Sequence, residues 1–248
     1  MVHRHDRDRA MCTTVAPANR QAVQLALLAF NLEIATIPEL ASEPLLGEIR
    51  LQWWRDTIAH IFSGTGVDHP VARGLAHGVN THGLDRSLFD EYLDARSFDL
   101  RREPPASLEA LEGHAAGTAG ALNELLANAL GLGDIAPEPQ AVIRAAVRHS
   151  GIAWALSGLL VSTAFHTRQG RSYLPADLDE DDKREAVAGA ARRHIVQART
   201  ARKMMPKSML PVMLPTYIAE QRLKSGASHT GKARRLMRFY GKVLLRSY

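Results

Sequence analysis

The chain has 248 residues, 46% of them apolar, and a formal net charge of +5 at pH 7. That fits one domain, or at most two, with enough apolar material for a sizeable core. No run of 18 uninterrupted apolar residues occurs, so no transmembrane helix is expected. Residues 1–20 are charged, lack an apolar h-region and read as a flexible tail with no secretory signal. The single cysteine, Cys12, excludes an internal disulfide and a thiolate metal cage and points to a reducing cytoplasm. The positive balance favours anionic partners such as phosphates, diphosphates or acidic lipid. No nucleic-acid motif accompanies it.

The pattern is helical from residue 21 onward. In residues 21–40, Val23, Ala26, Leu27, Phe30 and Ile34 recur at three- and four-residue spacing, and Pro38 disturbs the end. Ser42-Glu43-Pro44 opens a second helix that reaches Phe62 and carries Trp53 and Trp54. One indole belongs to the core; the other is a candidate for a pocket or an interface. Helices over 70–82 and 85–98 follow. Asp94 and Asp99 close the latter at a spacing that turns them apart, which suggests a solvated face.

After the Pro104-Pro105 loop a helix spans 108–130, with Gly113, Gly117 and Gly120 on one face for close packing. Residues 137–166 form a long helix with Val142, Ala145, His149, Ile152, Leu156, Leu159 and Thr163 on one side. His149 on that apolar side reads as a hydrogen-bonded core histidine. Residues 174–182 form an acidic, turn-rich linker, and two or three helices fill 185–248, bent by Pro206, Pro211 and Pro215. With no β-alternation and no internal repeat, the fold class is all-α and the domain covers 21–248.

Gln169-Gly170-Arg171-Ser172-Tyr173-Leu174-Pro175 ends the long apolar helix. Residues 151–175 resemble the second signature helix of squalene and phytoene synthases, which carries two aspartates four residues apart and an Arg-Gly-Arg-x-Tyr-Leu-Pro ending. Here the ending is kept, but Ser162 and His166 stand at the aspartate positions. Phe30 and the residues up to Glu39 are similar to the region of the family's first aspartate-rich motif. Leu32, Ala35 and Thr36 replace its arginine and first two acids, and Glu39 alone stays acidic. Trp54-Arg55 and the small-residue run 113–120 match in order. Phe30-Asn31-Leu32-Glu33, Ser42-Glu43-Pro44, the run Ile49 to Trp54 and the terminal Arg246-Ser247-Tyr248 resemble one branch. That branch is related to the mitochondrial assembly factor of respiratory complex I.

The resemblance implies an isoprenoid-synthase-like helical bundle with a central cavity facing Ala35, Glu39, Ser162 and His166. Head-to-head prenyl transfer needs magnesium to neutralise a leaving diphosphate, and magnesium prefers hard oxygen ligands. Ser162 and His166 keep the i, i+4 geometry without a carboxylate, and a lone imidazole suits magnesium poorly. No metal or other cofactor is therefore expected, and magnesium enters only if the enzyme alternative holds. No His-x-x-x-His or His-Glu-x-x-His spacing offers a zinc site.

Arg171 and Tyr173, whose family counterparts lie near the diphosphate, are candidate ligand-binding residues, with Arg50, Arg55 and Arg168 as further cations. A second reading of Arg171 is structural: a salt bridge to Glu33, Glu39 or an acid of residues 177–182. The C-terminal segment places Arg235, Arg238, Lys242 and Arg246 on one stripe beside apolar residues, as an anionic membrane surface or an ordinary packed helix requires. The resemblance implies a non-catalytic protein acting in assembly of a membrane respiratory complex, with a subunit or assembly partner, cytoplasmic and peripheral at the inner membrane. The alternatives are a prenyltransferase joining isoprenoid diphosphates, or a module that binds an isoprenoid or lipid without chemistry.

Overall fold

The structure is a computed structural model that describes residues 1–225 except 42, 102 and 169. Among the described residues there are helices and no strands. Val2–His5 (α1) and Arg7–Thr13 (α2) precede Ala18–Ala35 (α3) and Ile37–Leu40 (α4). Pro44–Phe62 (α5), Pro70–His82 (α6) and Arg86–Ser97 (α7) complete the first half. Leu108–Ala115 (α8), Ala121–Ala129 (α9), Pro137–Arg168 (α10), Glu180–Arg199 (α11) and Leu210–Ser225 (α12) form the second.

Local chemistry sets these boundaries. Proline occupies the first turn of α5 and α6, where a missing N–H costs nothing. The Asp85 carboxylate accepts from the Ser87 amide to start α7, and the Ser107 hydroxyl accepts from the Ala110 amide to start α8. Gly83, at φ 60°, ends α6 in the left-handed conformation that only glycine adopts without strain. Pro38 marks the break between α3 and α4. Glu180, Asp181 and Asp182 fill the first turn of α11, where a helix N-terminus favours acids. The stretch read as an acidic linker is thus partly helix.

The long α10 is the axis of the bundle and packs against α9, α11 and α12. It buries Ile143, Ala146, Val147, Ser150, Ala153 and Leu156, whereas Val142 is 42% exposed. A helix wrapped on several sides buries more than the single stripe its periodicity suggests. Around Phe30, the rings of Trp54, Phe89 and Tyr92 stack at centroid separations of 5.1, 5.4 and 5.3 Å. Asn123 Nδ2 and Ser150 Oγ both donate to the Val212 carbonyl, which ties α9 and α10 to the first turn of α12.

Several expectations change. Residues 2–13 are not a tail: they form two short helices packed on α3 and α12, with Val2, Ala10 and Cys12 buried. Their charged spacing hid an apolar minority that is enough to dock them. The 108–130 helix contains a π-helical stretch, Ala116–Gly120. A side chain at Gly117 would collide with Ala95, and one at Gly120 would press on Arg148, so both glycines serve packing, whereas Gly113 faces open space. Ala18–Leu40 is long and apolar enough to cross a membrane by length and composition, but half of that window is buried in the bundle. The basic stripe of Arg235 to Arg246 lies outside the described residues.

Candidate functional site

A cavity of about 420 Å³ lies along the second half of α10. Trp154, Ala155, Leu156, Leu159, Ser162 and His166 supply one wall, and the ends of α3 and α4, with Leu32, Ala35, Pro38 and Glu39, face them. Leu111, His114 and Ala115 come from α8, and Thr118 and Ala119 from the π-helical stretch. His5, Asp6 and Arg9 close the Trp154 end. Ala35, Glu39, Ser162 and His166 therefore share the cavity, Ala35 from the end of α3, Glu39 from α4 and the other two from α10. Thr36 does not: its hydroxyl donates to the Leu32 carbonyl and it lines a different pocket.

Asp99 is the charged centre of the wall, and this corrects its reading as solvated. It is 6% exposed, accepts from Arg96 Nη1 at 2.9 Å and lies 3.1 Å from His114 Nε2. Burial by itself would raise this carboxyl, but the His114 hydrogen bond and the Arg96 charge outweigh it and hold it at about 2. Arg96 also donates to the Tyr92 hydroxyl and to Asn31 Oδ1. Asp94 stays on the surface, its side chain 74% exposed.

Arg171 reaches the Pro38 carbonyl at 2.6 Å and the Asp99 carbonyl at 3.5 Å. It thus ties the loop after α10 to α4 and to the end of the α7 region through backbone oxygens, rather than to Glu33, Glu39 or the 177–182 acids. Tyr173 meets His166 edge-on at 4.9 Å between ring centroids, with the Arg171 charge acting on its phenol. Burial raises the Tyr173 phenol and lowers the His166 imidazole, so both are uncharged near neutral pH. The Ser162 hydroxyl donates to the Gly158 carbonyl within its own helix.

The other proposed cations lie elsewhere. Arg55 bonds Asp94, Ser97 and the Leu93 carbonyl, which fixes α5 to α7. Arg168 is exposed beyond the cavity. Arg50 lines a second pocket of about 290 Å³ with Glu33, Thr36, Leu40 and Trp53. Sequence spacing placed these arginines in the right helices but not around the right axis. Trp54 is the core indole at 3% exposure, and Trp53, at 44%, rims the second pocket. Leu45, Leu46 and Ile49 continue the row from Trp53 along α5, all exposed, with Leu40 beside them.

Nearer the start of α10, His149 and His194 share a ring contact at 2.8 Å between Nδ1 atoms, and His194 Nε2 lies 3.0 Å from Glu112. His149 is thus a hydrogen-bonded histidine between helices. Burial and then His194 lower its pKa.

These groups do not fit a magnesium cradle. Asp6 is paired with Arg9, Asp99 with Arg96 and His114, and Glu39 is left as an isolated, exposed carboxylate. Among the described residues no three His, Cys, Asp or Glu side chains are grouped to hold an ion.

Residues 2–237 match the squalene/phytoene synthase family. The chain belongs to that family. It is 28% identical over 242 residues to NADH dehydrogenase (ubiquinone) complex I, assembly factor 6, of Bos taurus, covering 90% of this chain and 71% of that protein. The Homo sapiens protein of the same name is 26% identical over the same spans. Among solved structures, a dehydrosqualene synthase in complex with ligand superposes with a TM-score of 0.82 at 15% identity, over 100% of this chain and 94% of that one. Squalene synthase HpnC from Alicyclobacillus acidocaldarius gives 0.74 at 16%, over 90% and 89%. The all-α isoprenoid synthase fold expected from residues 151–175 is thus the fold of this chain.

Proposed function

We propose that this family member is non-catalytic and acts in assembly of a membrane respiratory complex of the NADH dehydrogenase type. The observation that carries the reading is the cavity wall. Ser162 and His166 line the cavity together with Ala35 and Glu39, and the absence of an i, i+4 carboxylate pair at these four positions supports a cavity that does not hold magnesium against a diphosphate. The likeness to assembly factors over 90% of the chain supports the assembly half. The exposed row Leu45, Leu46, Ile49 and Trp53 supports it too, since apolar surface gathered in one stripe marks a place where another protein docks. Its partner is a subunit or assembly protein of that complex, met from the cytoplasmic side at the inner membrane.

Deleting the gene and resolving the membrane complexes on a native gel tests this reading. Loss of assembled NADH dehydrogenase, restored by the wild-type chain, is the expected result; normal assembly defeats it. The retained Arg171-Ser172-Tyr173-Leu174-Pro175 ending favours a second reading as a prenyltransferase. Incubation with farnesyl or geranylgeranyl diphosphate and magnesium decides between them. No diphosphate release is expected, and steady release would establish the enzyme.

A further inference from the structure

The cavity has a definite shape and charge. From Trp154 to His166 its wall on α10 is about 18 Å long at 1.5 Å per residue. Both ends are polar, with Arg9 and Asp6 near Trp154, and Tyr173 and Arg171 near His166. Between them Leu111, Ala115, Ala119, Leu156 and Leu159 make an apolar middle.

The lining acids are Asp6, Glu39 and Asp99, and the lining arginines are Arg9, Arg96 and Arg171, so apart from the histidines the formal charges cancel. Each arginine is already engaged. Arg9 binds Asp6, Arg96 binds Asp99, and Arg171 binds the Pro38 carbonyl. Among the described residues, a diphosphate entering here would find no cluster of acids to hold a metal and only arginines that already carry hydrogen bonds, and it would lie beside the Asp99 carboxylate. Desolvating an unpaired charge is strongly unfavourable. At the His166 end Arg171 is bonded to backbone oxygens and Glu39 is exposed to solvent, so the uncharged polar groups beside the apolar middle are the Tyr173 O–H and the His166 ring, whose pKa burial lowers.

We propose that this cavity binds an uncharged amphiphile, with an apolar chain along Leu156 and Leu159 and a hydroxyl or carbonyl oxygen beside Tyr173 and His166. The inference rests on the non-catalytic reading of the cavity and names the ligand chemistry that reading leaves open.

Equilibrium binding of farnesol and of farnesyl diphosphate to the full chain, with and without magnesium, tests it. The two probes share one chain and differ only in the head. Farnesol is expected to bind saturably, and the diphosphate at least about tenfold more weakly, a gap of about 1.4 kcal/mol. Leu159→Trp fills the apolar middle and should weaken farnesol binding by at least about tenfold at an unchanged melting temperature. If that variant melts early, Ala155→Phe is the second filler. Diphosphate binding as tight as farnesol, no farnesol binding, or undiminished farnesol binding by both folded fillers would overturn the proposal. Release of diphosphate defeats the non-catalytic reading instead, whereas absent farnesol binding without turnover defeats only this one.

Discussion

Replacing Asp99 by alanine tests the polar centre of the cavity wall. The carboxyl is held at about 2 against an ordinary value of 3.8. At about 1.4 kcal/mol per unit, its partners contribute on the order of 2 kcal/mol near neutral pH. Alanine also leaves Arg96 buried with only the Tyr92 hydroxyl and Asn31 Oδ1 as acceptors. Breaking a buried pair from one side costs about 3–5 kcal/mol. The two routes converge on a loss of about 3 kcal/mol by urea unfolding at pH 7. For a chain of this size that corresponds to a melting temperature lower by roughly 6–12 °C. The pH dependence follows from the direction of the shift. A depressed carboxyl stabilises the fold fully above its unfolded value of 3.8, and that stabilisation disappears as pH falls toward 2. The gap between wild type and Asp99→Ala should therefore narrow below about pH 4. A loss under about 1 kcal/mol at pH 7, or a gap that stays constant through that range, refutes the reasoning.

Gly151→Ala should be worse than its size suggests, because its Cβ would meet the Ala119 backbone carbonyl; a loss of about 1–3 kcal/mol or failure to fold is expected in thermal melts. Arg171→Ala should cost about 1–2 kcal/mol by removing the tie to the Pro38 carbonyl, and an unchanged melting temperature would rule out that structural role. Cys12 is 3% exposed and burial pushes its thiol well up, so a disulfide reagent should label the native chain only as fast as it opens; labelling within seconds would restore the reading of residues 1–20 as a tail. Ile49→Glu, on a side chain 57% exposed, should change stability by less than about 0.5 kcal/mol while reducing assembled complex on native gels, and full assembly would remove this row from the docking surface.

Much of the fold was legible because its signals are local. Pro44 and Pro70 at helix starts, Gly83 after α6 and the spacing of Val23, Leu27, Phe30 and Ile34 each act within a few residues. The N-terminal helices were not legible. Val2, Ala10 and Cys12 are too few to make a periodic pattern; Val2 and Ala10 join the main core, and Cys12 is covered by Leu214, Tyr217 and Ile218 some two hundred residues later. The π-helical stretch was missed for a related reason. Gly113, Gly117 and Gly120 have the spacing of one α-helical face, and only the approach of Ala95 and Arg148 shows which of them need to be small.

The site divides along the same line. Ser162 and His166 share the cavity with Ala35 because regular helices carry them and helical geometry fixes where each points, while Glu39 reaches it from the short α4 beyond the break at Pro38. Asp99 differs from the solvated reading because five residues turn it about 140° around the helix from the exposed Asp94, toward the interior. Arg96, three residues back, and His114 on α8 then satisfy its charge, partners that the spacing of the two acids does not reveal. Arg171 was open between two readings because its partners are backbone carbonyls, which carry no side-chain identity that a sequence pattern can show. The same fact bears on chemistry. An arginine bonded to the Pro38 and Asp99 carbonyls holds the loop in place whether or not a phosphate is present. The Arg171-Ser172-Tyr173 ending therefore has a structural use, closing the cavity against α4, that needs no reaction inside it.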